Sequence, residues 1–166
     1  MQELIVRWYQ FGCFSPVFRT HGCRSRIGNP EENTTAPCGH PKGIQGSCGP
    51  NEVWSYGDTT QALLSKYIML RATMKPYIAK LAAAVSKTGA PTMRPLWYEF
   101  PADPKCVGIN DQYTLGADIL VAPISKQGAK SRTVYFPAGA SWVSMWDKTK
   151  VKNTHTRTYL DIDIDI

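Results

Sequence analysis

The chain has 166 residues, with 19 Lys and Arg against 13 Asp and Glu for a formal net charge of +6, and 43% of its residues are hydrophobic. No run of about twenty apolar residues occurs, which excludes a membrane-spanning helix. The basic residues are scattered rather than gathered on one face or interleaved with stacking aromatics, which argues against a nucleic-acid partner. Leu4, Ile5, Trp8 and Phe11 recur at helical spacing almost from the first residue, without a preceding cap or a signal-peptide pattern, so Met1 reads as an internal methionine. The predicted helix covers 3–11, turns Leu4, Trp8 and Phe11 inward, and ends at Gly12 in a left-handed cap. Residues 14–19 are a short β-branched and aromatic run, predicted as a strand that stops at Arg19-Thr20-His21-Gly22. In a parallel barrel the residues just past a strand's C-terminal end line the pocket, which makes His21 the residue to explain.

Residues 23–51 are rich in Gly, Pro, Asn and Ser with little periodicity and read as a long loop, a candidate subsite-lining insertion. It carries Cys23, Cys38 and Cys48, of which Cys38 with Cys48 is the favoured bridge, and an N-glycosylation acceptor at Asn33-Thr34-Thr35. Both point to a secretory route. A zinc site built from Cys23, Cys38, His40 and Cys48 is disfavoured, because Cys38-Gly39-His40 is the only close pair and structural zinc sites usually present Cys-x2-Cys pairs. No metal site and no cofactor are expected.

Asp58 or Thr59 is the predicted cap of a long helix in which Leu63, Tyr67, Leu70, Met74, Tyr77, Leu81 and Val85 form a core-facing stripe. Pro76 should kink it near 73–76, and Gly89 should stop it. From Thr92 the period changes to short strands, expected at 92–99, 118–123, 132–136, 142–146 and 156–166, a β-sandwich pattern. Trp97, Trp142 and Trp146 are read as core residues. At the end, Asp161-Ile162-Asp163-Ile164-Asp165-Ile166 alternates as a half-buried strand does and stops without a turn, so the strand reads as cut.

Several motifs stand in one order: Phe14 to Gly22, Glu52-Val53-Trp54-Ser55-Tyr56-Gly57, Leu70-Arg71, Pro76-Tyr77, Gly89 to Leu96, Glu99-Phe100-Pro101 with Asp103, Asp111-Gln112-Tyr113, Asp118 to Pro123, Val134 to Gly139, and Trp142 with Trp146. The series is collinear from about Glu3 to Trp146, broken only between Cys23 and Asn51, and closely resembles glycoside hydrolase family 31, the α-glucosidases and α-xylosidases. The resemblance implies a fold that is α/β plus all-β, the last units of a (β/α)8 TIM barrel followed by a truncated β-sandwich. Residues 1–89 would be the end of the catalytic barrel (helix 7, strand 8, insertion loop, helix 8), and 90–166 the proximal C-terminal β-sandwich domain. A complete barrel typically needs about 250 residues, so the chain reads as a fragment.

By the same resemblance the partner is an oligosaccharide or glycoside substrate, and His21 is substrate-binding, hydrogen-bonding the sugar at the cleavage point. A neutral imidazole suits that task, offering one donor and one acceptor to a hydroxyl pair. Arg19 is either a second sugar contact or the partner of a barrel carboxylate. Glycoside hydrolysis ordinarily needs two flanking carboxyl groups. The family's nucleophile belongs to a Trp-x-Asp-Met-Asn type motif and its acid/base Asp to a later strand; neither context occurs here, so no catalytic residue carries over. The expectation is a fragment of a retaining exo-acting α-glycosidase that is inactive by itself and, with an open barrel edge, prone to aggregate. Two other readings are a carbohydrate-binding module acting through Trp142 or Trp146, and a non-catalytic homologue serving as an interaction partner.

Overall fold

The computed structural model describes residues 2–20, 51–151 and, as backbone, 156–160. Helix α1, Gln2–Cys13, opens with Glu3 in its first turn, where a carboxylate favours the helix dipole. It runs through Gly12, which is not left-handed as expected. The glycine matters for a different reason: a Cβ there would stand 2.9 Å from Cδ2 of Phe18, so the bare backbone lets Phe18 lie against the helix. The face buried in this chain is Val6, Tyr9 and Cys13, whereas Leu4 and Trp8 are 61% and 59% exposed, correcting the predicted orientation. The helix carries two apolar stripes, and the next helix, α2 (Asp58–Thr73), covers only one of them.

Helix α2, Asp58–Thr73, is capped not by Asp58 or Thr59 but by Gly57 at φ 89°, whose carbonyl accepts from Gln61 N–H at 2.8 Å. Asp58 contributes its charge to the first turn instead. The chain breaks at Met74 and resumes as α3, Lys75–Thr88, with Pro76 in its first turn, where the missing N–H is harmless. Met74 N–H still reaches Leu70 O (3.1 Å) and Ile78 N–H reaches Met74 O (3.0 Å), so the bend falls in the expected place with little loss of bonding. Gly89 ends α3 in the left-handed conformation, its N–H on Val85 O at 2.8 Å.

Strand β1, Met93–Pro95, is shorter than expected, because 96–99 fold into the helical turn α4, Leu96–Glu99, which buries Leu96 alone. Strand β2, Tyr113–Leu115, is a strand that sequence patterning missed; it pairs antiparallel with β1 (Met93↔Leu115) and with β3, Ile119–Val121 (Leu115↔Ile119). Strand β4, Ser131–Tyr135, pairs antiparallel with β5, Thr156–Leu160. The strand expected at 142–146 is only the bridge Val143↔Lys150, since Ser144, Asp147 and Thr149 close a tight turn with Lys148 at φ 60°. Hydrogen bonds from Ser144 and Thr149 hold the Asp147 carboxyl down to about 2.

One apolar cluster joins the helical and strand-rich parts: Val6, Tyr9, Cys13, Phe14, Tyr56, Leu64, Tyr67, Met74 and Leu115. Polar joints reinforce it. Glu3 Oε1 accepts from Gly128 N–H (2.7 Å), Arg7 Nη2 donates to Ala129 O (2.8 Å), and Tyr77 hydroxyl donates to Leu115 O (2.8 Å). Within the strand-rich part, Gln112 acts as a surrogate strand, donating to Tyr135 O and accepting from Tyr135 N–H, both at 2.8 Å. Asp103 is buried and accepts from Tyr135 hydroxyl (2.6 Å) and Ala138 N–H (2.9 Å).

Candidate functional site

The chain leaves α1 through two tight backbone bonds, Phe14 N–H to Phe11 O and Ser15 N–H to Gly12 O, both 3.1 Å. The segment 14–19 that follows is not a strand: no ladder partner pairs with it among the described residues. Side chains hold it instead. Arg71 Nη1 donates to Cys13 O (2.8 Å) and to Ser15 O, Arg71 Nη2 to Pro16 O (2.9 Å), and Tyr113 hydroxyl to Phe14 O (3.1 Å). Sequence reasoning quoted both motifs, Leu70-Arg71 and Asp111-Gln112-Tyr113, without finding this role, because a bond between a side chain and a distant carbonyl leaves no periodicity.

Between α1 and this segment lies a cleft of about 550 Å³, walled by Trp8, Phe11, Val17 and Phe18, with Arg19 and Thr20 at its end. Tyr9 meets Phe18 edge-on at 5.2 Å. Burial raises the Tyr9 hydroxyl above its ordinary value while a hydrogen bond with Thr20 opposes the shift, so the phenol stays protonated at neutral pH. None of the lining residues among those described is acidic. Among its described residues the cleft therefore offers aromatic surface, hydroxyls and the exposed guanidinium of Arg19. Cys13 is no nucleophile either: burial pushes its thiol up to about 11, despite the Arg71 charge that favours the thiolate.

His21, the predicted sugar contact, lies outside the described residues, as do Cys23, Cys38, His40, Cys48 and the Asn33 sequon. Four of the described carboxylates serve the fold: Glu99 pairs with Arg94, Asp111 with Arg132 (2.6 Å), and Glu3 and Asp103 fill the roles above. Trp97 and Trp146 are 50% and 47% exposed, against the core reading, whereas Trp142 is packed between Phe100 and Phe136 at 5.8 and 5.9 Å. Among the described residues no three His, Cys, Asp or Glu cluster to hold a metal, and no helix is long and apolar enough to cross a membrane.

Residues 1–36 match the family model of the glycosyl hydrolases family 31 TIM-barrel domain, and 89–166 match that of the glycosyl hydrolase family 31 C-terminal domain. The chain belongs to glycoside hydrolase family 31. Its fold is accordingly α/β followed by all-β, barrel units and then the family's C-terminal β-domain. Alpha-glucosidase 2 of Bacillus thermoamyloliquefaciens is 35% identical over 144 residues, covering 87% of this chain and 15% of that protein. A sulfoquinovosidase of Agrobacterium fabrum is 32% identical over 145 residues, with 87% and 18% covered. Among solved structures, a family 31 α-xylosidase from a soil metagenome, complexed with xylose, superposes with a TM-score of 0.80 at 36% identity, over 95% of this chain and 23% of its own. The chain thus spans less than a quarter of the length of each of these family 31 relatives.

Proposed function

We propose that the polypeptide carrying these residues is a retaining, exo-acting α-glycosidase that removes terminal α-glucosyl or α-xylosyl groups, with His21 holding the sugar and both catalytic carboxylates supplied by barrel strands upstream. The match of 1–36 to the family's TIM-barrel domain carries this reading, since it runs through His21. Among the described residues the cleft presents no carboxylate, which supports the second half, because protonating a leaving oxygen and attacking the anomeric carbon need two carboxyl groups about 5 to 5.5 Å apart in a retaining enzyme. The start of the C-terminal-domain match at residue 89 and the left-handed Gly89 support a division there between barrel end and β-domain. The Asn33-Thr34-Thr35 sequon supports a secretory route.

The test is turnover of aryl α-glucosides and α-xylosides by the purified 166-residue chain beside its His21→Ala variant. Background turnover by both is expected, together with activity in a longer polypeptide that restores the upstream strands. Turnover by the chain well above the His21→Ala control would refute the division of labour.

A carbohydrate-binding reading is favoured by one observation, the exposure of Trp97 and Trp146. Calorimetry against maltose and xyloglucan oligosaccharides separates the two: heat lost in Trp146→Ala and kept in His21→Ala favours the binding module.

A further inference from the structure

Trp142 and Trp146 stand one short turn apart and end in opposite places. Trp142 is packed between Phe100 and Phe136, whereas Trp146 is exposed, in a turn that also holds Val143 and Met145 out in solvent. A single exposed apolar side chain is ordinary; an aromatic one with apolar neighbours on a fixed support marks a contact surface. The support here is fixed by its own hydrogen bonds. Ser144 N–H donates to Thr149 O (2.9 Å), Lys148 N–H to Ser144 O (3.1 Å) and Val151 N–H to Trp142 O (2.9 Å), while Asp147 Oδ1 accepts from the N–H (3.1 Å) and the hydroxyl (2.8 Å) of Thr149. The indole is thus presented in one place before anything binds, which lowers the cost of binding.

Positive charge surrounds the ring. The Lys66 ammonium, from α2, lies 5.5 Å from the Trp146 ring centroid, within cation–π reach. Lys148 Nζ is drawn back onto Met145 O (2.9 Å), and Lys150 stands opposite Val143 across the bridge. The sequence has no Asp or Glu from 59 to 98, and the turn's own carboxylate, Asp147, is engaged by Thr149. A bilayer suits this corner poorly, since Asp147, Lys148 and Lys150 break up the apolar residues that would have to enter it. A sugar suits it well: the C–H face of the ring packs on an indole, and an acidic substituent at the edge of the ring meets an ammonium.

We propose that Trp146, with Lys66 and Lys148, forms an accessory glycan-binding site where α2 meets the β-domain, and that it takes sugars carrying an anionic group, a carboxylate or a sulfate. The indole supplies the stacking surface and the two ammonium groups supply the preference for acid. None of these residues lines the cleft between α1 and 14–20, so the site stands apart from the sugar-cleaving reading and does not depend on it.

The experiment is calorimetry on the full-length polypeptide that carries these residues, titrated with hexagalacturonate, a chondroitin sulfate hexasaccharide and maltohexaose, beside co-sedimentation with phosphatidylserine vesicles. At least one acidic sugar should bind about tenfold tighter than maltohexaose, and the carboxylate and sulfate arms tell which group is taken. Trp146→Ala should weaken that binding about tenfold, as loss of a central aromatic anchor does. Lys66→Gln should weaken it about threefold while leaving maltohexaose unchanged, and the loss should shrink as salt rises. Thermal melting accompanies each variant, and if Trp146→Ala fails to fold, Lys66→Gln carries the test. Acidic-sugar binding that survives Trp146→Ala in a folded protein is diffuse attraction to a basic surface and overturns the site. Equal affinity for maltohexaose overturns it, as does the absence of heat with both acidic sugars. Vesicle capture that depends on Trp146, without sugar binding, overturns it in favour of a lipid surface.

Discussion

Thr114 sits in the central strand β2, wholly buried, with its Oγ1 unbonded among the described residues. A desolvated hydroxyl without a partner costs about 1–3 kcal/mol, and valine has nearly the same shape. Thr114→Val is therefore expected to stabilise the chain by about 1 kcal/mol, read as a Tm rise of about 2–4 °C. One residue beyond the strand, Gly116 at φ 62° does the opposite kind of work. A Cβ there would meet the Tyr77 hydroxyl and stand 2.7 Å from Leu81 Cδ2, in a backbone region that L side chains avoid. Gly116→Ala should cost about 1–3 kcal/mol by strain alone, more once Tyr77 loses its bond to Leu115 O, and chemical denaturation would measure it. Nothing in the sequence said which side chain presses on Gly116.

At the scale of elements, residues with a single local meaning were legible and residues whose meaning depends on neighbours were not. Gly89 is the expected left-handed stop and Pro76 bends the chain near 73–76, whereas the same glycine reading fails at Gly12, which the helix runs through. The stripe on α1 was misassigned because Leu4, Trp8 and Phe11 are as periodic as Val6, Tyr9 and Cys13, and only the position of α2 chooses between them. Likewise 14–19 has strand composition but lacks a ladder partner among the described residues, and 96–99 follows a strand so short that the chain coils at Leu96. The break at Met74 yields a quantitative expectation. An interior proline would cost about 3 kcal/mol, yet Pro76 occupies the first turn of α3, so Pro76→Ala should bring no gain of that size and instead lose about 0.4–1 kcal/mol through the more flexible unfolded chain. Leu64→Ala, emptying the α1–α2 contact, should cost about 2–5 kcal/mol in the same melting series.

For the whole molecule, family membership was legible because motifs spread along the chain keep their order, while the candidate site was legible only in part. His21 could be named from its neighbours in sequence; the donors that hold the carbonyls of 13–16 are 55 to 99 positions away from them. Three phenols join distant parts as donors: Tyr77 to Leu115 O, Tyr113 to Phe14 O and Tyr135 to Asp103. Burial pushes each of them up to about 12, with Asp103 adding to the shift at Tyr135. The sign follows from linkage: a phenol raised above its unfolded value of about 10 stabilises the fold fully below pH 10 and loses that contribution as pH rises toward 12. Alkaline unfolding is expected to begin near pH 10, followed by circular dichroism beside tyrosinate absorbance. Ionisation of these three phenols well below the unfolding transition would contradict it.

The clasp of Glu3 and Arg7 on Gly128 and Ala129 closes a loop of more than 120 residues. On the ribosome, α1 must wait for about 120 further residues to be made before this clasp can close. Nascent chains halted before residue 128 should be cut readily by protease within α1 and should recruit chaperones, and both susceptibilities should fall once the 128–129 turn has emerged.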